Sequence, residues 1–326
     1  MNHLHNFYVG DLFMFINLNI QKIIPCVLLL IALLVLPIHS MFTSISAVEN
    51  DTSYIKWVEF NVPASVMRAA MEADIQSQKK DEKVDYLEIL AYLGAKNGGN
   101  FKNYKKSQLN DAIEAVKNGT HKENKYYSYY LEAYTAVLAE FVGEYEQTVK
   151  DDNGNEKKVM KYGLKVKHPV KGYYGDSDDF GNERSYGFKR KHLGHDFMTS
   201  VGTPVAAMED GIVETLGWNR YGGWRIGIRS FDGKRYYYYA HLKKGSPYAE
   251  GLEEGQTVKA GQTIGYVGQT GYSFKEDTNN IQTPHLHFGI QLIFNEVQKD
   301  GNNQIWIDCY QISQLIKNPP SSITLE

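Results

Sequence analysis

The chain has 326 residues, 42% hydrophobic and 22% charged, which suits a globular protein of two modest domains plus a targeting segment. A formal net charge of -3, with no basic stripe interleaved by aromatics, excludes the usual nucleic-acid-binding surface. Cys26 and Cys309 are the only cysteines, which excludes a disulfide framework and a cysteine-ligated metal.

In chain order, a short segment over 1–22 precedes an uncharged run, Ile23 to Ile38, that follows Lys22. Extended to Ile45, the run is long enough to span a bilayer, and Ser44, Ser46 and Ala47 resemble a signal-peptidase site. Residues 23–45 are therefore expected to be a transmembrane anchor or a signal peptide. The rest would then lie outside the cytoplasm, anchored at the membrane or secreted. Residues 53–147 read as a small helical domain. Val66, Ala69, Ala70, Ala73 and Ile75 follow Pro63 at helical spacing, and Tyr86–Ala95 and Leu131–Phe141 repeat the signal. Glu88 and Glu140 are expected to be solvated helix residues, not acid catalysts.

Residues 148–162 form a charged junction whose Asp152-Asn153-Gly154 centre fits a hairpin turn. From 163 to 310 the texture turns to β. Strand-like runs cover 203–208, 211–218, 224–230, 234–240, 263–268 and 285–293, and Asp210-Gly211 and Asp232-Gly233 read as tight hairpins. Lys189-Arg190-Lys191 reads as a solvated loop, and 311–326 as a C-terminal helix and tail. The fold class is α+β: an apolar N-terminal segment, a helical domain, then a mainly antiparallel sheet.

The chemistry-bearing residues cluster in the C-terminal half. His192 and Asp196 lie four apart around Gly194, where a helix is unfavourable, so a loop or bulge must bring both to one point. His241 ends the run Tyr236 to Ala240. His285 and His287 alternate with Leu286 and Phe288, so a strand presents both imidazoles on one face. Two histidines and a carboxylate suffice to hold Zn²⁺ with one position open to water, leaving other histidines for proton transfer. His195 has no required role in this set.

His192-x-Gly194-x-Asp196, the middle His241 and Pro284-His-Leu-His-Phe288 together resemble the lysostaphin/LytM-type zinc endopeptidases of peptidoglycan, over about residues 163–294. Gly202-Thr-Pro-Val-Ala, Gly222-Gly223 and Gly255-x-x-Val-x-x-Gly-x-x-Ile-Gly add to the likeness. The resemblance implies a LytM-type sheet related to β-sandwich hybrids and one Zn²⁺ per chain, held by His192, Asp196 and His287. It also implies catalytic histidines at 241 and 285, an oxyanion-stabilising Tyr186, and peptidoglycan as the partner. The alternative is a catalytically inactive wall-binding or regulatory relative. A biotinyl/lipoyl-like carrier lacks its lysine at an exposed hairpin tip. The chain departs from the family in a long segment, Tyr272 to Thr283, and in an elaborated stretch, Gly172 to Phe188.

Overall fold

Pro63 opens the first helix because its fixed backbone angle suits a helix start, and its carbonyl accepts from the amides of Val66 and Met67. The computed structural model describes residues 55–325 apart from 152, 173 and 187, and not the side chains of Trp57, Tyr186 and Phe188. The apolar run 23–45, with Cys26, lies outside the described residues. Among those described, no helix is long and apolar enough to cross a membrane.

The helices are α1 (Ala64–Ser77), α2 (Tyr86–Asn97), α3 (Ser107–Lys117), α4 (Tyr127–Leu138) and α5 (Tyr310–Lys317). α2 has clear punctuation at both ends. The Asp85 carboxylate accepts from the amides of Leu87 and Glu88, and Gly98 closes the helix at φ 59°. α1 buries Val66, Met67, Ala70, Met71 and Ile75 on one stripe.

The strands are β1 (Lys56–Val58), β2 (Val142–Lys150), β3 (Glu156–Leu164), β4 (Glu183–Tyr186), β5 (Phe188–Lys191), β6 (His195–Met198), β7 (Pro204–Ala206), β8 (Gly211–Asn219), β9 (Gly223–Ser230), β10 (Arg235–Ala240), β11 (Thr257–Val258), β12 (Thr263–Tyr266), β13 (His285–Leu292), β14 (Ile305–Ile307) and β15 (Ile323–Thr324). The main sheet runs β1-β14-β13-β10-β9-β8-β11, with β6 also paired to β13. Only the β1–β14 pairing in it is parallel. β15-β3-β2, β12-β7 and β4-β5 form smaller sheets.

Helices and sheet share one core. Arg235, fully buried on β10, forks onto Glu209 at 2.9 and 3.0 Å and donates to the Ala136 carbonyl of α4. The hydroxyl of Tyr237 also donates to Glu209. Leaving either charge of such a buried pair alone costs about 3–5 kcal/mol, so the pair fixes α4 against the central strands. On the other side Asp74 of α1 accepts from the Tyr86 amide at 3.1 Å and the Tyr162 hydroxyl at 3.0 Å.

Several local expectations are corrected. Asp210-Gly211 is not a hairpin: β8 pairs with β9 and β11, while β7 pairs with β12. Asp210 instead accepts from the Ala260 amide at 2.8 Å, tying two loops together. Lys189-Arg190-Lys191 belongs to β5, not a loop, because Arg184, Ser185 and Glu183 of β4 pair with it. The charged stretch after Gln147 is a hairpin, as its turn-forming centre suggested, pairing β2 with β3 over nine residues each and closed by an Asp151 carboxylate that accepts from the amides of Asn153 and Asn155. The chain's last described residues pair as β15 with β3. Asp232-Gly233 is the expected tight connection, between β9 and β10, with Gly233 at φ 73°.

Candidate metal centre and groove

β13 lies between β6 and β10, and its register fixes the site: His287 stands opposite Asp196 on one side and Ala240 on the other. Leu286 and Phe288 point into the core, so strand alternation turns His285 and His287 to the opposite face. His192 follows β5 and reaches the same point because Gly194 lets the chain pass against β13. A Cβ on Gly194 would stand 2.6 Å from His287 Cε1 and 2.6 Å from the Phe288 carbonyl.

Three donor atoms converge there. His192 Nε2 is 3.0 Å from Asp196 Oδ1 and 2.9 Å from His287 Nδ1, and His287 Nδ1 is 3.0 Å from Asp196 Oδ1. These are the residues that could together hold a metal ion. Two imidazole nitrogens and a carboxylate oxygen this close share more lone pairs than one proton can satisfy, which is the chemistry of a cation site. Donors of a tetrahedral ion with bonds of about 2.0–2.1 Å stand roughly 3.3–3.4 Å apart, so the set fits with a small outward movement.

Behind the donors sits a supporting layer. His192 Nδ1 is 3.0 Å from Asp179 Oδ2, which fixes the tautomer that leaves Nε2 facing the centre. Arg184 bridges Asp179 at 2.6 Å and Asp196 at 3.3 Å. Burial disfavours a charge on His192, but Asp179 and Asp196 outweigh it and raise its pKa to about 9. Burial likewise works against the Asp196 carboxylate, yet His192 and His287 hold it far below the usual range. A cation entering this site must displace the histidine proton.

Two further imidazoles flank the donors. His241 is 5% exposed, follows β10 at φ 62°, and has Nδ1 2.9 Å from the Thr270 carbonyl. The left-handed backbone costs about 1–3 kcal/mol in a non-glycine residue and swings the ring into the groove. Thr270 is itself fixed, donating to the Leu242 carbonyl at 2.6 Å and accepting from the Trp224 amide at 3.1 Å. His285 Nδ1 lies 2.8 Å from the Thr283 carbonyl, and its Nε2 lies 3.8 Å from Asp196 Oδ1. A carbonyl only accepts, so both rings carry their proton on Nδ1 and leave Nε2 with a lone pair. Burial, then the neighbouring His285 and His287, depresses the His241 pKa well below the ordinary histidine value.

The sequence-predicted residues His192, Asp196, His241, His285 and His287 all line one groove of about 440 Å³. The side chain of Tyr186 lies outside the described residues. His195 faces away into the core, packed on Phe197 and Tyr310, with Asp176 and Asp179 each 3.5 Å from a ring nitrogen. Sequence reasoning missed Asp179, Arg184 and Thr270. Asp179 and Arg184 belong to the elaborated stretch before the first motif, which was the available signal. The long segment 272–283 is pinned: Asp277 Oδ1 accepts from Trp224 Nε1 and the Gly245 amide, both at 2.8 Å, and Asn280 donates to the Tyr272 carbonyl. Tyr272 forms part of the groove wall, with the Arg190 guanidinium over its ring.

Three donors that could hold a metal ion, beside two imidazoles in an open groove, have the layout a metal-assisted hydrolase needs. Residues 190–301 match the model of Peptidase family M23, and the chain carries a domain of that family. An L-Ala–D-Glu endopeptidase of Bacillus subtilis is 42% identical over 122 residues, covering 37% of this chain and 36% of that protein. The peptidoglycan DD-endopeptidase ShyC of Vibrio cholerae is 30% identical over 170 residues, covering 51% of this chain and 34% of that protein. The chain thus spans about a third of these curated relatives. A solved Ruminococcus gnavus structure, assigned as a glycyl-glycine endopeptidase of the lytM type, has a TM-score of 0.53 at 25% identity. That likeness covers 78% of this chain and 87% of the other, so it reaches beyond residues 190–301.

Gly194→Ala tests the geometry without touching a donor. The added methyl meets the His287 ring, so metal affinity should fall about 10–100-fold, the range seen when a ligand's support is lost. Competition against a calibrated chelator reads it out, and unchanged affinity would show that His287 is not held by this close approach.

Proposed function

We propose that the chain is a zinc-dependent endopeptidase that cuts peptide bonds in the stem peptides or cross-bridges of peptidoglycan. The observation that carries this reading is the convergence of His192, Asp196 and His287 within 3.0 Å, flanked by two imidazoles that both present Nε2. His192, Asp196 and His287 hold the ion, and Asp179 and Arg184 keep two of them in register. When bound, zinc supplies Lewis-acid polarisation and brings the pKa of a water from about 15.7 to roughly 7. His241 and His285 carry the proton traffic: one Nε2 lone pair accepts a proton from the attacking water, and the other ring, once protonated at Nε2, donates to the oxyanion or leaving amine. The peptidoglycan substrate rests on the named activities of the relatives. It also places the catalytic part outside the cytoplasm, with 23–45 as anchor or signal.

Purified protein should clear a suspension of cell-wall sacculi, stop when a chelator is added, and resume on zinc addition. Clearing that continues unchanged under chelator removes the metal from the account.

The segment 272–283 is assigned to substrate choice, because Asp277 and Tyr272 fix it at the groove wall and loops on a rigid scaffold carry recognition. Replacing Ser273–Gln282 with a short Gly-Ser turn should leave metal content unchanged while altering the peptide fragments released from sacculi or abolishing their release. Identical fragments at an identical rate would make the segment decoration.

A further inference from the structure

The main sheet sets an arginine, Arg225 of β9, two strands from His287 of β13. Tyr236–Tyr239 of β10 pair with Arg229–Ile226 of β9, and Ala240 pairs with His287. That ladder ends at Tyr239 and Ile226, and Arg225, the next residue on β9, lines the same groove as Asp196 and His287. Gly217 of β8 faces Arg225 from the far side and adds no side chain. With strands about 4.7–4.9 Å apart and β10 between β9 and β13, Arg225 stands on the order of 10 Å from His287, with Tyr238 of β10 beside both.

Arg225 also lacks a counter-charge. Arg184 is matched by Asp179 and Asp196, Arg229 forks onto Glu214, and Lys299 reaches Glu296 and Glu214. Among the described residues, no carboxylate lies within 4.0 Å of the Arg225 guanidinium, and its Nε is buried without an acceptor. Its field reaches the hydroxyls of Tyr236 and Tyr238, which are neutral phenols and leave the charge uncompensated. Tyr236 lies flat across the strand because position 227 is glycine: a Cβ there would overlap its hydroxyl at 1.9 Å. The groove floor therefore holds a guanidinium beside aromatic surface, open towards the hydrolytic centre.

We propose that Arg225 is a specificity-determining residue that binds a carboxylate of the substrate peptide within about three residues of the bond that is cut. The spacing follows from roughly 3.3 Å per residue of extended peptide against the 10 Å offset. An arginine fork matches a carboxylate bidentately, and the chain's own salt bridges leave the Arg225 guanidinium free for one. This proposal rests on the groove being a peptide site, as in the proposed function, and its test is separable from the test of that activity.

The experiment is calorimetric titration of the full chain carrying His285→Ala, with a peptidoglycan stem peptide in its free-acid form and with its carboxylates amidated. The free acid should bind about 10–100-fold more tightly. Adding Arg225→Gln should make the two peptides equal, while Arg225→Lys, which keeps the charge but not the fork, should retain part of the preference. Thermal unfolding of each variant checks the fold. Equal binding of both peptides, a preference that survives Arg225→Gln, or no binding of either overturns the proposal. Sacculus clearing by the unsubstituted protein is read in parallel. Clearing without a charge preference removes only the role of Arg225; a charge preference without clearing keeps Arg225 and removes the proposed activity.

Discussion

Asp196→Ala and His287→Ala should each lose the bound metal, from about one equivalent of zinc per chain to none after dialysis. Support residues around a metal typically change affinity about 10–100-fold, and removing a donor itself should exceed that. Asp196 is the stronger test. Its Oδ1 sits 3.0 Å from both imidazole donors and its Oδ2 3.3 Å from Arg184, so alanine removes the oxygen ligand and the anion that orders the others. His287→Ala removes a nitrogen donor but leaves His192 held by Asp179 at 3.0 Å. Elemental analysis of the purified variants reads the outcome, and full zinc retention in both would place the metal elsewhere.

His241→Ala and His285→Ala should behave in the opposite way, keeping zinc and the fold while turnover falls about 10²–10⁴-fold, the usual contribution of a general acid or base. Neither ring is required to complete the three-donor set, whose distances are closed by His192, Asp196 and His287 alone. The pH profile adds a second readout. The His241 pKa is depressed, so the ring stays neutral until the pH drops below that lowered value. Any loss of rate caused by protonating His241 must then fall below the ordinary histidine pKa of about 6.5. A bound cation nearby pushes in the same direction. A His241-dependent limb above pH 6.5 would contradict the buried, carbonyl-held ring, and zinc loss in either variant would exchange a catalyst for a ligand.

The candidate site was largely legible because its residues lie on a strand or at a strand end. His285-x-His287 needs only period-two geometry, and His241 ends a run of aromatic residues that pairs across β9 and β13. What pattern could not supply was contact between distant segments. Asp179 lies 13 residues before His192 in an irregular stretch, and nothing local announces that its carboxylate will meet His192 Nδ1. Arg225 reads as a polar strand residue until the register shows which neighbours it has and which charge it lacks. Asp210-Gly211 misled for a related reason. Asp-Gly favours a hairpin only where the flanking strands pair with each other, and β7 and β8 pair elsewhere. The β2–β3 hairpin was partly hidden by its lysines and glutamates, because both of its faces are largely solvent-exposed over 144–150 and 156–158 and it shows little hydrophobic alternation. α3, at Ser107–Lys117, went unread because its buried positions are Leu109, Ala112, Ala115 and Val116, three of them small or β-branched.

The most direct measurement is the mass spectrum of soluble fragments released from purified sacculi by the zinc-loaded protein, beside the same digestion with His285→Ala. The account predicts fragments that gain one water at a peptide bond, with a new amine and carboxylate, intact glycan strands, and almost no release by the variant. Fragments cut in the glycan, or the same fragments at the same rate from His285→Ala, would contradict it.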